Sequence, residues 1–200
     1  MKVIKFGGSC LSNANDIKQL KNILSSNSYG KETVLVVSAF KNVTDTLELC
    51  GISAAKESFD PKTIDEIMKF HHILVSELFP YKMQSSIEEE VNRKIVEIKD
   101  ICKGISLLQE FTAKTKDSLI QYGELLSSYI ISEYLKLYFD NIVYSDSRDL
   151  IVTDDNFGNA VPNIEDTFLN FQKTLINKEK IYLIPGFIAQ TQNGQVSTIG

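Results

Sequence analysis

Two short, predominantly apolar runs, residues 3–6 and 33–38, do most to constrain how this chain can fold. Because apolar and polar residues do not alternate in either run, each is predicted to be a strand buried on both faces, as in a parallel sheet covered by helices. Between them, apolar residues recur at helical spacing from Ile17 to Leu24. The three segments together predict a β-α-β unit at the start of the chain.

The rest of the chain continues this alternation. Helical spacing of apolar residues predicts five further helices. Two of them begin after Thr44 and after Pro61, and the other three are predicted at 87–101, from Ser118 to Tyr138 and at 164–176. Ser118-Leu119-Ile120-Gln121 has the form of a capping box, so it is predicted to begin its helix. Short strands are predicted at 142–144, 150–152 and 181–184, and Asn193-Gly194 predicts a hairpin between 187–189 and 196–199. The predicted fold class is α/β, a three-layer α/β/α sandwich with a mainly parallel sheet, in a single domain over residues 1–200.

Composition limits the classes of partner. The net charge of −5 argues against nucleic acid or an anionic membrane surface as the main partner. Cys10, Cys50 and Cys102 are odd in number and far apart, which favours reduced thiols over a disulfide framework or a structural zinc site. No apolar run approaches the roughly 18 residues that span a bilayer, and no secretory signal is recognised. A cytoplasmic protein is expected.

The segment Lys5-Phe6-Gly7-Gly8-Ser9-Cys10 lies where the first predicted strand ends. A strand that runs into paired glycines leaves successive backbone N–H groups free to converge on an anion, and the next helix would bring its positive end to the same place. Lys5 adds a mobile cation that can also stabilise charge during phosphoryl transfer. The segment is therefore interpreted as a phosphate site, with a simple tight turn as the alternative.

The second predicted strand ends in a loop that carries hydroxyl groups. Ser38 and Thr44 lie at its carboxyl end, where ligands bind in open α/β sheets, and both could donate to a carboxylate or a phosphate. The alternative for Thr44 is a helix N-cap. Glu124 lies on an apolar helix face with Ile120 and Ile131, so it must be paired or serve a ligand such as a substrate ammonium group. The alternative for Glu124 is a solvated or ion-paired carboxylate.

Other polar clusters favour structural roles. The carboxylates of Asp154 and Asp155 could hold Mg²⁺ or act as a base, but capping of turns is the preferred interpretation. His71-His72 lacks metal-ligand spacing and is expected to be half core and half surface. The acidic run 88–90 is expected to be the solvated face of its helix.

Five segments, in order along nearly the whole chain, resemble the signatures of aspartokinases. Lys-Phe-Gly-Gly-Ser at 5–9 is similar to that family's Lys-Phe-Gly-Gly-Thr-Ser. Val-Val-Ser-Ala at 36–39 with Val-Thr-Asp at 43–45 resembles its second block, and Gly-Glu-Leu-Leu-Ser at 123–127 resembles its Gly-Glu-x-x-Ser helix. Segments 154–160 and 186–188 are similar to two more blocks.

The resemblance implies the amino-acid-kinase fold and transfer of the γ-phosphoryl of ATP to the side-chain carboxylate of L-aspartate, the first step in making the aspartate family of amino acids. It implies that Lys5 is catalytic, with the amides of Gly7, Gly8 and Ser9 assisting at the phosphate. It further implies that Ser38 lies in the catalytic loop and that Thr44 and Glu124 hold aspartate. Mg²⁺ is expected to arrive with ATP, without a protein ligand, and the full-length parent is expected to form a homo-oligomer.

Two departures from the family pattern bear on activity. Lys41-Asn42 stands where the family has a small residue and glycine, and Asn tolerates a positive φ better than most residues. The family continues with Arg-Gly-Gly-Ser-Asp, which grips aspartate and phosphate, whereas this chain stops at Gly200, directly after an apolar strand. The chain is therefore expected to be a C-terminally truncated catalytic domain that, alone, binds MgATP poorly and turns over little aspartate.

Two alternatives stay open at this point. One is another kinase of the same superfamily, acting on glutamate, N-acetylglutamate or a nucleotide. The other is a non-catalytic α/β module that binds a ligand or pairs with another chain.

Overall fold

Helices and strands alternate through the first and last thirds of the chain, with a helical middle between them. The computed structural model describes residues 1–26, 33–56 and 58–199. The helices are α1 (Ala14–Ser26), α2 (Val43–Ala55), α3 (Lys62–Leu78), α4 (Tyr81–Leu108), α5 (Ala113–Lys136) and α6 (Ile164–Thr174). The strands are β1 (Lys2–Phe6), β2 (Thr33–Val37), β3 (Ile142–Tyr144), β4 (Val152–Thr153), β5 (Ile181–Pro185), β6 (Ile188–Thr191) and β7 (Val196–Thr198).

A parallel sheet with helices on both faces forms the centre of the fold. Its strand order is β1-β2-β5-β3, and all neighbours pair in parallel. On one face, Leu35 and Leu183 join the large core formed with helices α1 to α5. On the other face, Val34 and Tyr182 pack in a smaller cluster that Phe171 of α6 covers. The α/β fold class with a mainly parallel sheet between helix layers is confirmed.

A second, three-stranded sheet carries the end of the chain. Its order is β4-β6-β7, with β6 and β7 antiparallel. The hairpin predicted at Asn193-Gly194 is confirmed, and Gly194 has a φ of 73°, which glycine adopts without steric cost. Phe187, with a φ of 65°, lies between β5 and β6 where the chain passes from the first sheet to the second.

The helix predicted at 87–101 is longer than expected, since α4 runs from Tyr81 to Leu108. Two further boundary predictions were wrong. Helix α5 begins at Ala113 rather than Ser118, because Thr112 supplies the N-cap and its Oγ1 accepts from the Thr115 N–H at 3.2 Å. Ser118 lies inside the helix, where its hydroxyl donates to the Lys114 carbonyl at 3.0 Å. The strand predicted at 150–152 is only partly formed, because a 3₁₀ turn at Ser147–Asp149 precedes the two-residue β4.

The cysteines are free thiols, as predicted. Cys10 is exposed, whereas Cys50 and Cys102 are buried. Burial raises the pKa of Cys50 to about 11 and that of Cys102 to about 12, so both remain unreactive thiols near neutral pH. Among the residues that the structure describes, no helix is long and apolar enough to cross a membrane.

Candidate functional site

The carboxyl ends of β1 and β2 bring two predicted site loops together. Phe6 pairs with Val37, and the Ser38 N–H donates to the Phe6 carbonyl at 3.1 Å. The loops then stay in contact, since a Cβ at Gly8 would lie only 3.1 Å from the Ala39 carbonyl oxygen. Glycine at position 8 therefore allows the first loop to pack directly on the second.

The first loop offers unused hydrogen-bond donors beside Lys5. A 3₁₀ turn at Gly8–Cys10 is closed by the Cys10 N–H, which donates to the Gly7 carbonyl at 2.9 Å. Within residues 1–26, 33–56 and 58–199, neither the Gly8 nor the Ser9 N–H has an acceptor, and the Lys5 ammonium has no partner. Backbone donors and a cation can together bind an anion. Gly8 and Ser9 line one cavity and Lys5 lines another, and the phosphate site stays a prediction.

The second loop turns sharply into α2. Asn42 adopts a φ of 68°, a left-handed backbone conformation that usually favours glycine. The expected turn is therefore formed with asparagine in this position. Because the helix begins at Val43, with Asn42 at the N-cap position, Thr44 lies inside the first turn. The alternative that Thr44 is an N-cap is therefore wrong.

Helix α5 packs against the second loop through its smallest residue. A Cβ at Gly123 would lie 2.9 Å from the Ala39 Cβ and 3.0 Å from the Thr44 Oγ1. The Ser127 hydroxyl donates to the Ser38 carbonyl at 2.8 Å, which fixes the helix against the loop one turn further on. The close approach places Glu124 directly beneath the loop.

Glu124 is a buried carboxylate with one unsatisfied oxygen. The residue is 4% exposed, and its Oε1 accepts from the Ala39 N–H at 3.3 Å. No donor reaches its Oε2 anywhere in the described parts of the chain. Burial raises the pKa of Glu124 to about 7, and the bond from Ala39 opposes that rise only in part. A solvated or ion-paired Glu124, the alternative from the sequence, does not fit this environment.

The predicted site residues meet around two adjoining cavities. A cavity of about 350 Å³ is lined by Gly8 and Ser9 from the first loop and by residues of the second loop. A neighbouring cavity of about 320 Å³ is lined by Lys5, Phe187 and Ile199. Three residues line both cavities: Ser38, Thr44 and Glu124. Of the predicted site residues, only Gly7 lines neither cavity.

Asp117 is a buried acid that the sequence analysis did not single out. It is fully buried on α5, and its carboxylate accepts from the Thr198 N–H at 3.1 Å, the Thr198 hydroxyl at 2.7 Å and the Gly158 N–H at 2.8 Å. A charged residue seven positions before Glu124 shares its helix face, and that spacing could have revealed it.

The remaining polar clusters have structural roles. Asp154 accepts from the Asn156 N–H at 3.2 Å and the Val161 N–H at 2.9 Å, so it fixes its loop as the preferred interpretation proposed. His71 is buried and its Nδ1 donates to the Ile67 carbonyl at 2.7 Å, whereas His72 is partly exposed. Among the described residues, no group of three or more His, Cys, Asp or Glu side chains could hold a metal ion.

Comparison with known proteins gives consistent matches over the full length of the chain. Residues 1–200 match the amino acid kinase family. The chain is 26% identical to the bifunctional aspartokinase/homoserine dehydrogenase of Buchnera aphidicola, covering 100% of this chain and 25% of that protein. It is 28% identical to the chloroplastic aspartokinase 1 of Arabidopsis thaliana, covering 99% of this chain and 35% of the relative.

Solved structures agree on the fold. Aspartokinase III of E. coli, in complex with aspartate and ADP (R-state), matches with a TM-score of 0.87 and 24% identity, over 100% of this chain and 43% of that one. The same enzyme with lysine and aspartate (T-state) gives a TM-score of 0.86. The chain thus spans about a quarter to less than half of the length of these relatives. It shares their fold, and it belongs to the amino acid kinase family.

Proposed function

We propose that this chain carries the aspartate-binding and phosphoryl-stabilising part of an aspartokinase, which transfers the γ-phosphoryl of ATP to the side-chain carboxylate of L-aspartate. The observation that supports this most is the buried, half-satisfied Glu124 in a cavity that Lys5 also lines. The Glu124 carboxylate matches the ammonium group of a zwitterionic substrate, and the Lys5 ammonium matches the anionic phosphoryl group that the substrate receives.

Glu124 would bind the α-ammonium group of aspartate. Its Oε2 lacks a donor among the described residues, and a buried carboxylate is stabilised when a cation supplies both charge and hydrogen bonds. Ser38 and Thr44 line the same cavities, and their hydroxyls can donate to the substrate carboxylates. The amino acid would then be oriented by its amine at one end and by its acidic groups at the other.

Lys5 and the first loop would act on the phosphoryl group. The Lys5 ammonium has no partner in the described ranges, so it can stabilise the charge that moves from ATP to the acceptor oxygen. The Gly8 and Ser9 N–H groups add fixed donors beside it. Phosphoryl transfer depends mainly on positioning and on charge stabilisation, and it needs no nucleophilic side chain.

ATP would enter as its Mg²⁺ chelate. The E. coli relative whose structure contains ADP supports a nucleotide as the phosphoryl donor. Aspartate in the same structure supports the proposed acceptor.

Titration of L-aspartate, then MgATP, into this 200-residue chain tests the proposal. Chemical-shift changes in NMR spectra suit weak binding and report on folding at the same time. We expect aspartate to bind to the wild type and, with the same affinity, to Glu133→Gln. It should bind at least about 30-fold more weakly to Glu124→Gln, because a charged hydrogen bond contributes about 2 kcal/mol. Glu133 is a matched control on the same helix, paired with Lys136 near the surface. Equal binding by Glu124→Gln would contradict the proposal.

Turnover separates Lys5 from the binding residues. We expect little aspartate phosphorylation by the wild-type chain, and Lys5→Ala should remove what there is while leaving aspartate affinity unchanged. Phosphorylation at the same rate by both proteins would show that Lys5 has no catalytic role. Turnover well above that of Lys5→Ala would overturn the expectation that the chain alone is nearly inactive.

A further inference from the structure

Asp117 joins three parts of the chain that are distant in sequence. It lies on α5, and the two residues that donate hydrogen bonds to it, Gly158 and Thr198, are 41 and 81 residues away. Gly158 belongs to the loop after β4 and has a φ of 84°, which glycine adopts without steric cost. Thr198 ends β7, and its carbonyl accepts from the Ala160 N–H at 3.0 Å. A single carboxylate therefore holds a loop and a strand against the helix.

The Asp117 carboxylate accepts from three donors at once. The Oδ2 of Asp117 accepts two backbone N–H bonds, while its Oδ1 accepts the Thr198 hydroxyl. A carboxylate is acceptor-only and can accept from all three donors, whereas asparagine keeps a single acceptor oxygen and, with that oxygen on the two N–H groups, would turn its NH₂ group towards the Thr198 hydroxyl. Asp117 has no ion-pair partner among the described residues, so hydrogen bonds alone stabilise its buried charge.

The same contacts define one wall of the proposed substrate cavity. Ile199, the residue after Thr198, lines that cavity, and its N–H donates to the carbonyl of Phe187 at 2.9 Å. Phe187 lines the cavity as well, and its positive φ is a backbone conformation that bulky residues rarely adopt. Glu124 lines the same cavity and belongs to the helix that carries Asp117. Asp117 thus connects the Phe187–Ile199 wall to the helix that presents the substrate-binding carboxylate.

We propose that Asp117 is a positioning residue, which sets the distance between Glu124 and the Phe187–Ile199 wall and thereby controls aspartate affinity. This inference rests on the proposed function. Asp117 touches neither cavity, so its effect on binding passes through Thr198 and Ile199.

A matched set of variants tests the positioning role. Asp117→Asn removes acceptor capacity, and Thr198→Val removes one donor while it keeps the backbone bond. Ser197→Ala is the control, because Ser197 is also fully buried in β7 and its hydroxyl shares a 2.7 Å hydrogen bond with Thr153, away from Asp117. Aspartate affinity and amide exchange at Ile199 are measured on the intact 200-residue chain, at a temperature where circular dichroism shows each variant folded.

We expect Asp117→Asn to weaken aspartate binding about tenfold or more and to accelerate amide exchange at Ile199, with Thr198→Val showing smaller changes of the same kind. Ser197→Ala should change affinity less than about twofold and leave exchange at Ile199 as in the wild type. If folded Asp117→Asn changes aspartate affinity and exchange at Ile199 no more than Ser197→Ala does, the inference is overturned.

The two proposals fail in different ways. If the wild type binds no aspartate, the proposed function is wrong, and exchange at Ile199 alone decides the positioning role: unchanged exchange in Asp117→Asn overturns it. If the wild type binds aspartate and folded Asp117→Asn binds it equally well, only the positioning role is wrong. If Asp117→Asn does not fold, Thr198→Val takes its place in both comparisons.

Discussion

The two buried acids of α5 lie on one helix face yet have opposite surroundings. Asp117 is fully buried and accepts three hydrogen bonds from Gly158 and Thr198. Glu124 is 4% exposed and accepts one hydrogen bond from outside its own helix, from the Ala39 N–H of the loop after β2, at 3.3 Å. Its second oxygen has no donor among the described residues, although Glu124 lines a cavity.

This difference in hydrogen bonding distinguishes an acid that is satisfied within the fold from an acid that can still bind a ligand. A buried charge costs several kcal/mol unless hydrogen bonds replace the lost water. Donors within the protein satisfy both oxygens of Asp117, whereas only one oxygen of Glu124 has a donor among the described residues. Of the two acids, only Glu124 therefore has an oxygen left to accept from a ligand. Burial alone does not distinguish the two acids, but the number of donors does.

The largest expected effect is on stability. Asp117→Asn should lower the free energy of unfolding by about 3 kcal/mol, because buried donors lose a charged acceptor. Glu124→Gln at pH 8 should leave stability unchanged or raise it, since it removes a poorly solvated charge. Urea denaturation of both variants measures the difference. Equal losses in the two variants would mean that the contrast in hydrogen bonding has no energetic consequence.

The next effect is the pH dependence of stability. Burial raises the pKa of Glu124 from its ordinary 4.5 to about 7, so the folded chain binds this proton more tightly than the unfolded chain. The stabilisation is complete below pH 4.5 and is lost as the pH rises through 7, and its full size is about 3 kcal/mol. Unfolding free energies of the wild type and Glu124→Gln, compared at pH 5 and pH 8, isolate this contribution. A constant difference between the two proteins at both pH values would contradict the raised pKa.

Substrate discrimination gives a third comparison. Succinate resembles aspartate without the ammonium group, so it gains nothing from Glu124. The wild type should prefer aspartate over succinate by about 30-fold, equivalent to about 2 kcal/mol. Glu124→Gln should abolish this preference, whereas Asp117→Asn should weaken both ligands and keep their ratio within about threefold. Competition titrations give the ratios, and a preserved preference in Glu124→Gln would assign the ammonium group to another residue.

Gly123 should show the smallest effect. A Cβ there meets Ala39 and Thr44, so Gly123→Ala should destabilise the fold by about 1 to 2 kcal/mol and weaken aspartate binding. Gly104 in α4 is the matched control, because nothing lies within 4 Å of a Cβ at that position. Gly104→Ala should stabilise the helix by about 0.5 to 1 kcal/mol. Thermal unfolding measures both, and a shift of the same sign for the two variants would contradict the close packing at Gly123.

The sequence predicts the first site loops well because their chemistry is local. The run into Gly7-Gly8, the turn at Asn42 and a carboxylate on an apolar helix face are all visible within a few residues. Each was confirmed in the fold, with Asn42 at a φ of 68° and Glu124 buried. The binding roles of these residues stay predictions, since no comparison tests them.

Asp117 and the Phe187–Ile199 wall were missed for a physical reason. The partners of Asp117 are 41 and 81 residues away, so no local pattern reports them. Placing the start of α5 at Ser118 also left Asp117 outside the helix, which hid its shared face with Glu124. The actual N-cap, Thr112, lies further upstream. A boundary placed five residues too late, at Ser118 instead of Ala113, was enough to conceal a buried acid.

Proton release on aspartate binding tests the central claim, that Glu124 is the acid kept unsatisfied for the substrate ammonium group. Calorimetric titrations at pH 7 in two buffers with different ionisation enthalpies count the protons released. With a Glu124 pKa of about 7, the wild type should release about half a proton as aspartate binds, and Glu124→Gln should release none. Binding enthalpies that are equal in both buffers for the wild type, or equal release from the variant, would contradict the account.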